Sequence, residues 1–200
     1  MKTKISILFF STFFLIIGCK EKSENKDLEK NNKSHNHVSS ENEGSCVNIA
    51  DKSKYVSHQI SVTGEIENKL TLDVSELKKW NQNKLENAEI ICQVGKKNKE
   101  SKSFKGVLLK DVLEKAKIIQ KNHKDRNFYI VARATDDYKA TFSCAEIFNN
   151  ETGNHVYIMY EENGKPIMDD GEMILISNND IKTGPRRVKW LKSIEIYRVN

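Results

Sequence analysis

The stretch Gly184-Pro185-Arg186-Arg187-Val188-Lys189-Trp190-Leu191-Lys192-Ser193-Ile194-Glu195-Ile196 decides how this chain is read. The Gly-Pro pair marks a turn. Three cations, Arg186, Arg187 and Lys189, follow within four residues, and residues 191–199 then read as a closing strand with Ile194 and Ile196 on one face. A guanidinium offers phosphate a planar, bidentate fork, so this cluster is a candidate anion cradle beginning at Gly184. A solvated basic loop is the alternative. Trp190 and Leu191 argue for an ordered turn, because their apolar bulk must be covered.

Working back from this stretch, short strand and helix patterns alternate from residue 56 onward. Residues 58–66 and 70–72 read as a bent strand pair. Asp73-Val74-Ser75-Glu76 resembles a capping box opening a short helix. Residues 87–95 read as a strand with Ala88, Ile90, Cys92 and Val94 on one face, and 96–103 as a charged loop. Residues 108–117 carry Leu109, Val112, Leu113 and Ala116 at helical spacing. Two strands, 127–135 and 138–143, turn at Asp136-Asp137, and 145–148 make one helical turn. A strand over 155–160 leads into Asn163-Gly164, the hairpin dipeptide, and 172–177 read as a buried strand. Strands outnumber helices and the turns are tight, so the expected class is α+β with a mixed sheet. The chain has no internal repeat, dinucleotide-binding glycine motif, P-loop or nucleophile elbow.

The N-terminal end has another character. Residues 5–17 contain ten Ile, Leu or Phe behind Lys2 and Lys4, a span of 13 residues that suits a secretory signal better than a bilayer crossing. It ends in Leu15-Ile16-Ile17-Gly18-Cys19, which resembles the bacterial lipobox, where cleavage precedes a cysteine that is then acylated. The expected organisation is a signal peptide over 1–18, a lipidated Cys19 with a disordered tether over 19–55, and a domain over 56–200 in the cell envelope. The tether, with seven basic and seven acidic side chains over residues 20–55, lacks the apolar surface that offsets ordering entropy. His35, His37 and Cys46 lie in it, three donors that could meet a metal such as copper or zinc, on what reads as a solvated linker.

Charge excludes one class of partner. The chain has 33 Lys and Arg against 28 Asp and Glu, and without Lys2 and Lys4 the basic count is 31. With no basic block and no groove-reading motif, nucleic acid is not an expected partner.

Two segments carry a family resemblance. The first comprises Gly64-Glu65-Ile66, Leu70-Thr71-Leu72, Leu77, Ile91-Cys92-Gln93-Val94-Gly95 and Phe104-Lys105-Gly106-Val107-Leu108-Leu109-Lys110-Asp111-Val112-Leu113. The second runs from Tyr160-Glu161-Glu162-Asn163-Gly164-Lys165-Pro166-Ile167 to the closing stretch quoted above, and Thr135-Asp136-Asp137-Tyr138 lies between the two. In order and spacing these resemble the molybdopterin-binding domain of the sulfite oxidase family over most of residues 60–198.

The resemblance implies a molybdenum–molybdopterin cofactor and oxygen-atom transfer or two-electron redox chemistry. It implies Cys92 as the protein's thiolate on the metal, Tyr138 close to it, and Gly184, Arg186, Arg187 and Lys189 on the pterin and its phosphate. A small oxyanion or sulfoxide substrate, an electron-transfer partner and a lipid-anchored place on a membrane complete the expectation. Burial of Cys92 among its apolar strand neighbours is the alternative for that residue.

The chain also departs from the family pattern. Gly95 is followed by Lys96-Lys97-Asn98-Lys99 where family members carry Asn and Arg. Asp169-Asp170-Gly171-Glu172-Met173-Ile174 stands where they carry His-Gly and then Pro-Leu-Arg. Carboxylates there oppose a phosphate, which keeps open a second reading: a cofactor-free binding module on the same fold. Asp136-Asp137 and Asp169-Asp170 are acidic turns without the spacing of a calcium loop. Cys46 and Cys144 are candidates for a disulfide.

Overall fold

The computed structural model describes residues 52–91 and 101–199. All belong to the unit spanning Glu41–Asn200; the other unit, Met1–Ser40, lies outside the described residues. So do Cys19, His35, His37, Cys46 and Cys92.

Among the described residues, ten strands form two sheets. They are β1 (Ile60–Gly64), β2 (Leu70–Leu72), β3 (Asn83–Ala88), β4 (Lys102–Leu108), β5 (Phe128–Ala134), β6 (Lys139–Ser143), β7 (Val156–Glu162), β8 (Lys165–Pro166), β9 (Ile174–Ser177) and β10 (Leu191–Arg198). The first sheet runs β2-β1-β10-β5-β6, with β1 parallel to β10 and the other pairings antiparallel. The second runs β3-β4-β7-β8, and β9 also pairs with β7. Mixed sheets with short helices bear out the α+β expectation.

Three helices pack on this frame: α1 (Val74–Leu77), α2 (Leu109–Ala116) and α3 (Cys144–Phe148). Asp73 caps α1 by accepting from the Glu76 backbone N–H at 2.7 Å. Ser143 and Glu146 close a full capping box on α3. Leu109, Val112, Leu113 and Ala116 form the buried face of α2, the spacing read from the sequence. They join one core with Ile60, Val62, Ile130, Phe142, Ile158, Ile194 and Ile196. A second cluster, including Phe104, Tyr157, Met159, Ile174 and Ile176, lies on the opposite side of β7. That strand is therefore apolar on both faces, and its first five residues are all buried. At Asn163 and Gly164 the backbone takes φ of 51° and 75°, the left-handed pair that the Asn-Gly dipeptide predicts.

Two expectations are corrected. Of the strand expected over 87–95, the first two residues belong to β3, which ends at Ala88, and 92–95 lie outside the described residues. Asn87 takes φ 53° and the register with β4 shifts between Leu85 and Ala88, so the apolar alternation that suggested a strand begins where the ladder stops. The loop expected over 96–103 gives way to β4 at Lys102, because β4 lies between β3 and β7 and takes its register from both. Chain ahead of residue 56 also joins the fold: Tyr55 packs against Trp190 at 5.4 Å between ring centroids, and its carbonyl accepts from Thr135 Oγ1 at 2.5 Å.

On β10, Glu195 accepts a bidentate pair of bonds from Arg133 at 2.9 and 3.0 Å, with Ser193 and Tyr197 hydroxyls at 2.7 and 2.6 Å. Arg133 chiefly, then the two hydroxyls, hold the Glu195 carboxyl down at about 2 against the opposing effect of burial. A carboxylate depressed in the folded state stabilises above its ordinary value of 4.5, and that contribution is lost as pH falls towards about 2. Glu195→Gln is therefore less stable than wild type at neutral pH, by about 3 kcal/mol at most. Urea titrations from pH 7 to 2 should show the two proteins converging at the acid end.

Candidate functional site

The segment Thr183–Trp190 bridges β9 and β10, and its geometry is set from several sides. Thr183, buried, donates through Oγ1 to the Glu89 carbonyl at 3.0 Å and accepts from the Ile91 N–H at 2.9 Å. The Gly184 N–H donates to the Ile91 carbonyl at 2.8 Å. Gly184–Arg186 form a single 3-10 turn with Pro185 near its start, where a missing N–H costs nothing. Val188 is fully buried and bridges to Leu175 of β9. The chain position immediately before Cys92 is thus hydrogen-bonded to the turn that opens the basic segment. Cys92 itself lies outside the described residues.

Tyr138 reaches the same turn. It follows Asp137, whose φ is 69°, in the β5–β6 hairpin, and its hydroxyl donates to the Pro185 carbonyl at 2.6 Å. Partial burial and the nearby Asp136 push its phenol pKa up, so the proton stays on the oxygen that makes this bond.

The three cations, read as one cradle, separate into two groups. Arg186 binds Asp180 through Nε at 2.7 Å and Nη2 at 2.5 Å, and Glu146 of α3 through Nη1 at 2.7 Å. Its guanidinium lies 4.5 Å from the Phe142 ring centroid. Asp180 first, with Glu146 adding to it, raises the Arg186 pKa against the effect of burial. Arg186 is therefore a structural clamp between α3, β6 and the segment after β9.

Arg187 and Lys189 share one carboxylate. Asp170 Oδ2 accepts from Arg187 Nη2 at 2.6 Å, and Asp170 Oδ1 is 3.0 Å from Lys189 Nζ. All three line a cleft of about 400 Å³ together with Lys52, Lys102, Glu162 and Asp169. Four cations thus face three carboxylates, and Lys102 and Glu162 pair directly. Trp190 and Gly171 hold the acidic turn in place. The Trp190 N–H donates to the Asp170 carbonyl at 2.6 Å, and a Cβ on Gly171, where φ is 89°, would come within 2.9 Å of the Trp190 backbone.

Reading the sequence missed Thr183, Asp180 and Glu146. The signal for Thr183 was weak, a hydroxyl directly before a Gly-Pro turn. Glu146 both closes the capping box of α3 and binds Arg186. Elsewhere, Cys144 carries a free, buried thiol whose pKa burial raises, and its proposed partner Cys46 is outside the described residues. Among the described residues no cluster of three or more His, Cys, Asp or Glu is placed to hold a metal ion, and no helix is long and apolar enough to cross a membrane.

A family model described as the oxidoreductase molybdopterin binding domain matches residues 47–200. No curated protein matches the sequence. Among solved structures, the sulfane dehydrogenase SoxCD from Paracoccus pantotrophus is similar at 16% identity and a TM-score of 0.54, over 74% of this chain and 39% of that one. This chain therefore spans about two-fifths of that chain's length, and at such identity the likeness concerns the fold alone.

The family implies a molybdenum–molybdopterin group, and the residues present can be tested against it. Nε of Arg187 is buried and, among the described residues, has no acceptor. A buried donor left unsatisfied costs about 1–3 kcal/mol, which an acceptor-rich anionic ligand would recover. With Lys189 beside it and one carboxylate between them, Arg187 fits such a group. Arg186, each of whose guanidinium nitrogens is already bonded to Asp180 or Glu146, fits it less well. Arg186→Ala leaves two part-buried carboxylates uncompensated and should cost about 3 kcal/mol in urea unfolding, with anion binding in the cleft unchanged.

Proposed function

Because this chain belongs to the oxidoreductase molybdopterin binding domain family, we propose that it is a molybdopterin-dependent oxidoreductase-like protein whose cofactor is held at the Arg187–Lys189 cleft. The observation that carries this is the buried Nε of Arg187, which has no acceptor among the described residues, on a residue that lines a cleft with four cations and three carboxylates. When bound, the group supplies two-electron redox or oxygen-atom transfer chemistry at molybdenum.

The chain's own residues bind and orient. Arg187 and Lys189 hold an anionic oxygen, the first through a directional N–H and the second as a point charge. Gly184, through its N–H on the Ile91 carbonyl, ties the basic segment to the stretch that continues into Cys92. Cys92 supplies the soft thiolate suited to a high-valent metal. Tyr138 acts by position: its hydroxyl donates to the Pro185 carbonyl, which fixes the turn two residues before Arg187. Cys19 carries the acyl anchor that keeps the domain on an envelope membrane, and the substrate is a small oxyanion or sulfoxide met together with a separate electron carrier.

One observation favours a second reading, the cofactor-free module: each of the three cations already meets a carboxylate. Metal content separates the two. The full chain, produced in a host that makes the cofactor, should carry about one molybdenum per chain by elemental analysis, a stoichiometry set by a single thiolate ligand. Cys92→Ser should carry none while keeping the wild-type circular dichroism. Metal-free wild type from a host that loads a control molybdoenzyme would sink the enzyme reading. In a bacterial host fed labelled fatty acid, the wild type should become labelled and Cys19→Ala should not; a wild type that stays unlabelled removes the anchor.

A further inference from the structure

The acidic turn at Asp170 stands in a position that no ordinary surface turn requires. Its carboxylate is the common partner of Arg187 and Lys189, at 2.6 and 3.0 Å, and its side chain is 15% exposed. Nor is that placement left to a flexible loop. The Asp170 carbonyl is bonded to the Trp190 N–H, Gly171 is wedged against the Trp190 backbone, and Trp190 itself adopts φ 46° to allow it. Two carboxylate oxygens therefore sit where two oxygens of a phosphate monoester or other small oxyanion would meet the same two cations. One oxygen takes a guanidinium N–H and the other an ammonium, both of them charge-assisted contacts.

We propose that Asp170 is a built-in competitor for the anion site, occupying Arg187 and Lys189 until an oxyanion displaces it and setting how tightly that oxyanion is held. This rests on the reading of the cleft as an anion site given above. Displacement has a clear physical form. An incoming dianion must approach a carboxylate fixed at hydrogen-bond distance from both cations, and in a cleft that is partly dry the repulsion is poorly screened. With that carboxylate made neutral, Arg187 and Lys189 lose the one anion that bonds them both, and the ligand meets them without it. The competitor thus raises the threshold concentration at which the site fills, and it discriminates against weakly charged anions that cannot outbid a fixed carboxylate. The departure noted in the sequence, acidic residues where family members carry His-Gly, acquires a role by this account.

Inorganic phosphate is the probe, and the full chain is titrated with it by isothermal calorimetry at constant ionic strength. Asp170→Asn should bind phosphate at least about tenfold more tightly than wild type, the factor that corresponds to about 1.4 kcal/mol. Glu67→Gln is the control: it removes one carboxylate, paired with Lys117 outside the cleft, and so makes the same change in net charge. It should bind as wild type does. Adding Lys189→Met to Asp170→Asn should abolish the gain. If Asp170→Asn and wild type bind phosphate equally, the competitor idea is overturned and the anion cleft stands. If neither binds, both fall together. Should Asp170→Asn fail to fold by circular dichroism, Asp170→Ser, which keeps the backbone bond to Trp190, takes its place under the same criteria.

Discussion

The last described strand of the chain occupies the middle of a sheet. β10 lies between β1, to which it is parallel, and β5, to which it is antiparallel, so it is fixed by hydrogen bonds along both edges. This constraint governs everything immediately before it. Leu191 must start its ladder opposite Ala134, and the segment from Thr183 to Trp190 has only the space between β9 and that point. Its polar groups therefore find partners at the end of β3, in the β5–β6 hairpin and in the turn after β8. The parallel pairing of residues about 130 positions apart closes a long loop, which costs entropy that burial of Leu191, Ser193, Ile194 and Ile196 on β10 helps to offset.

Within that frame, charge is distributed by pairing and not by accumulation. Arg186 is used up in holding α3 to the segment following β9, and its stacking on Phe142 adds a cation–π contact to two ion pairs. Arg187 and Lys189 are treated differently, since two cations are given one carboxylate and a buried N–H is left over. Three neighbouring basic residues with the same formal charge thus have separate tasks. The burial and the number of carboxylate oxygens around each decide which task it has.

Much of the fold was legible because its signals are local. The α2 face repeats at helical spacing, Asp73 precedes Glu76 by three residues, and Asn163-Gly164 names its own turn. β10 announces itself through Ile194 and Ile196. β3 and β4 were not legible, since their strand character comes from each other and from β7. Asn83, Lys84 and Glu86 give no apolar alternation to read. In the candidate site the basic residues were visible as a cluster, and the acidic turn at Asp170 was visible as an opposing charge. The commitment of Arg186 was not, because Glu146 stands 40 residues earlier in the chain, and only the packing of α3 brings it within 2.7 Å.

The irregularity of β3 has an outcome beyond its own ladder. Among the described residues β3 is the outer strand of the second sheet, and the face of β7 behind it is strongly apolar. A flat, regular outer strand there would offer a row of free N–H and C=O groups to any other chain in an extended state. Asn87 in the left-handed region breaks that row, and Lys84 and Glu86 put charge on what remains. The residues that conceal this strand from pattern reading are the same ones that deny a neighbouring molecule a template on which to add a strand of its own.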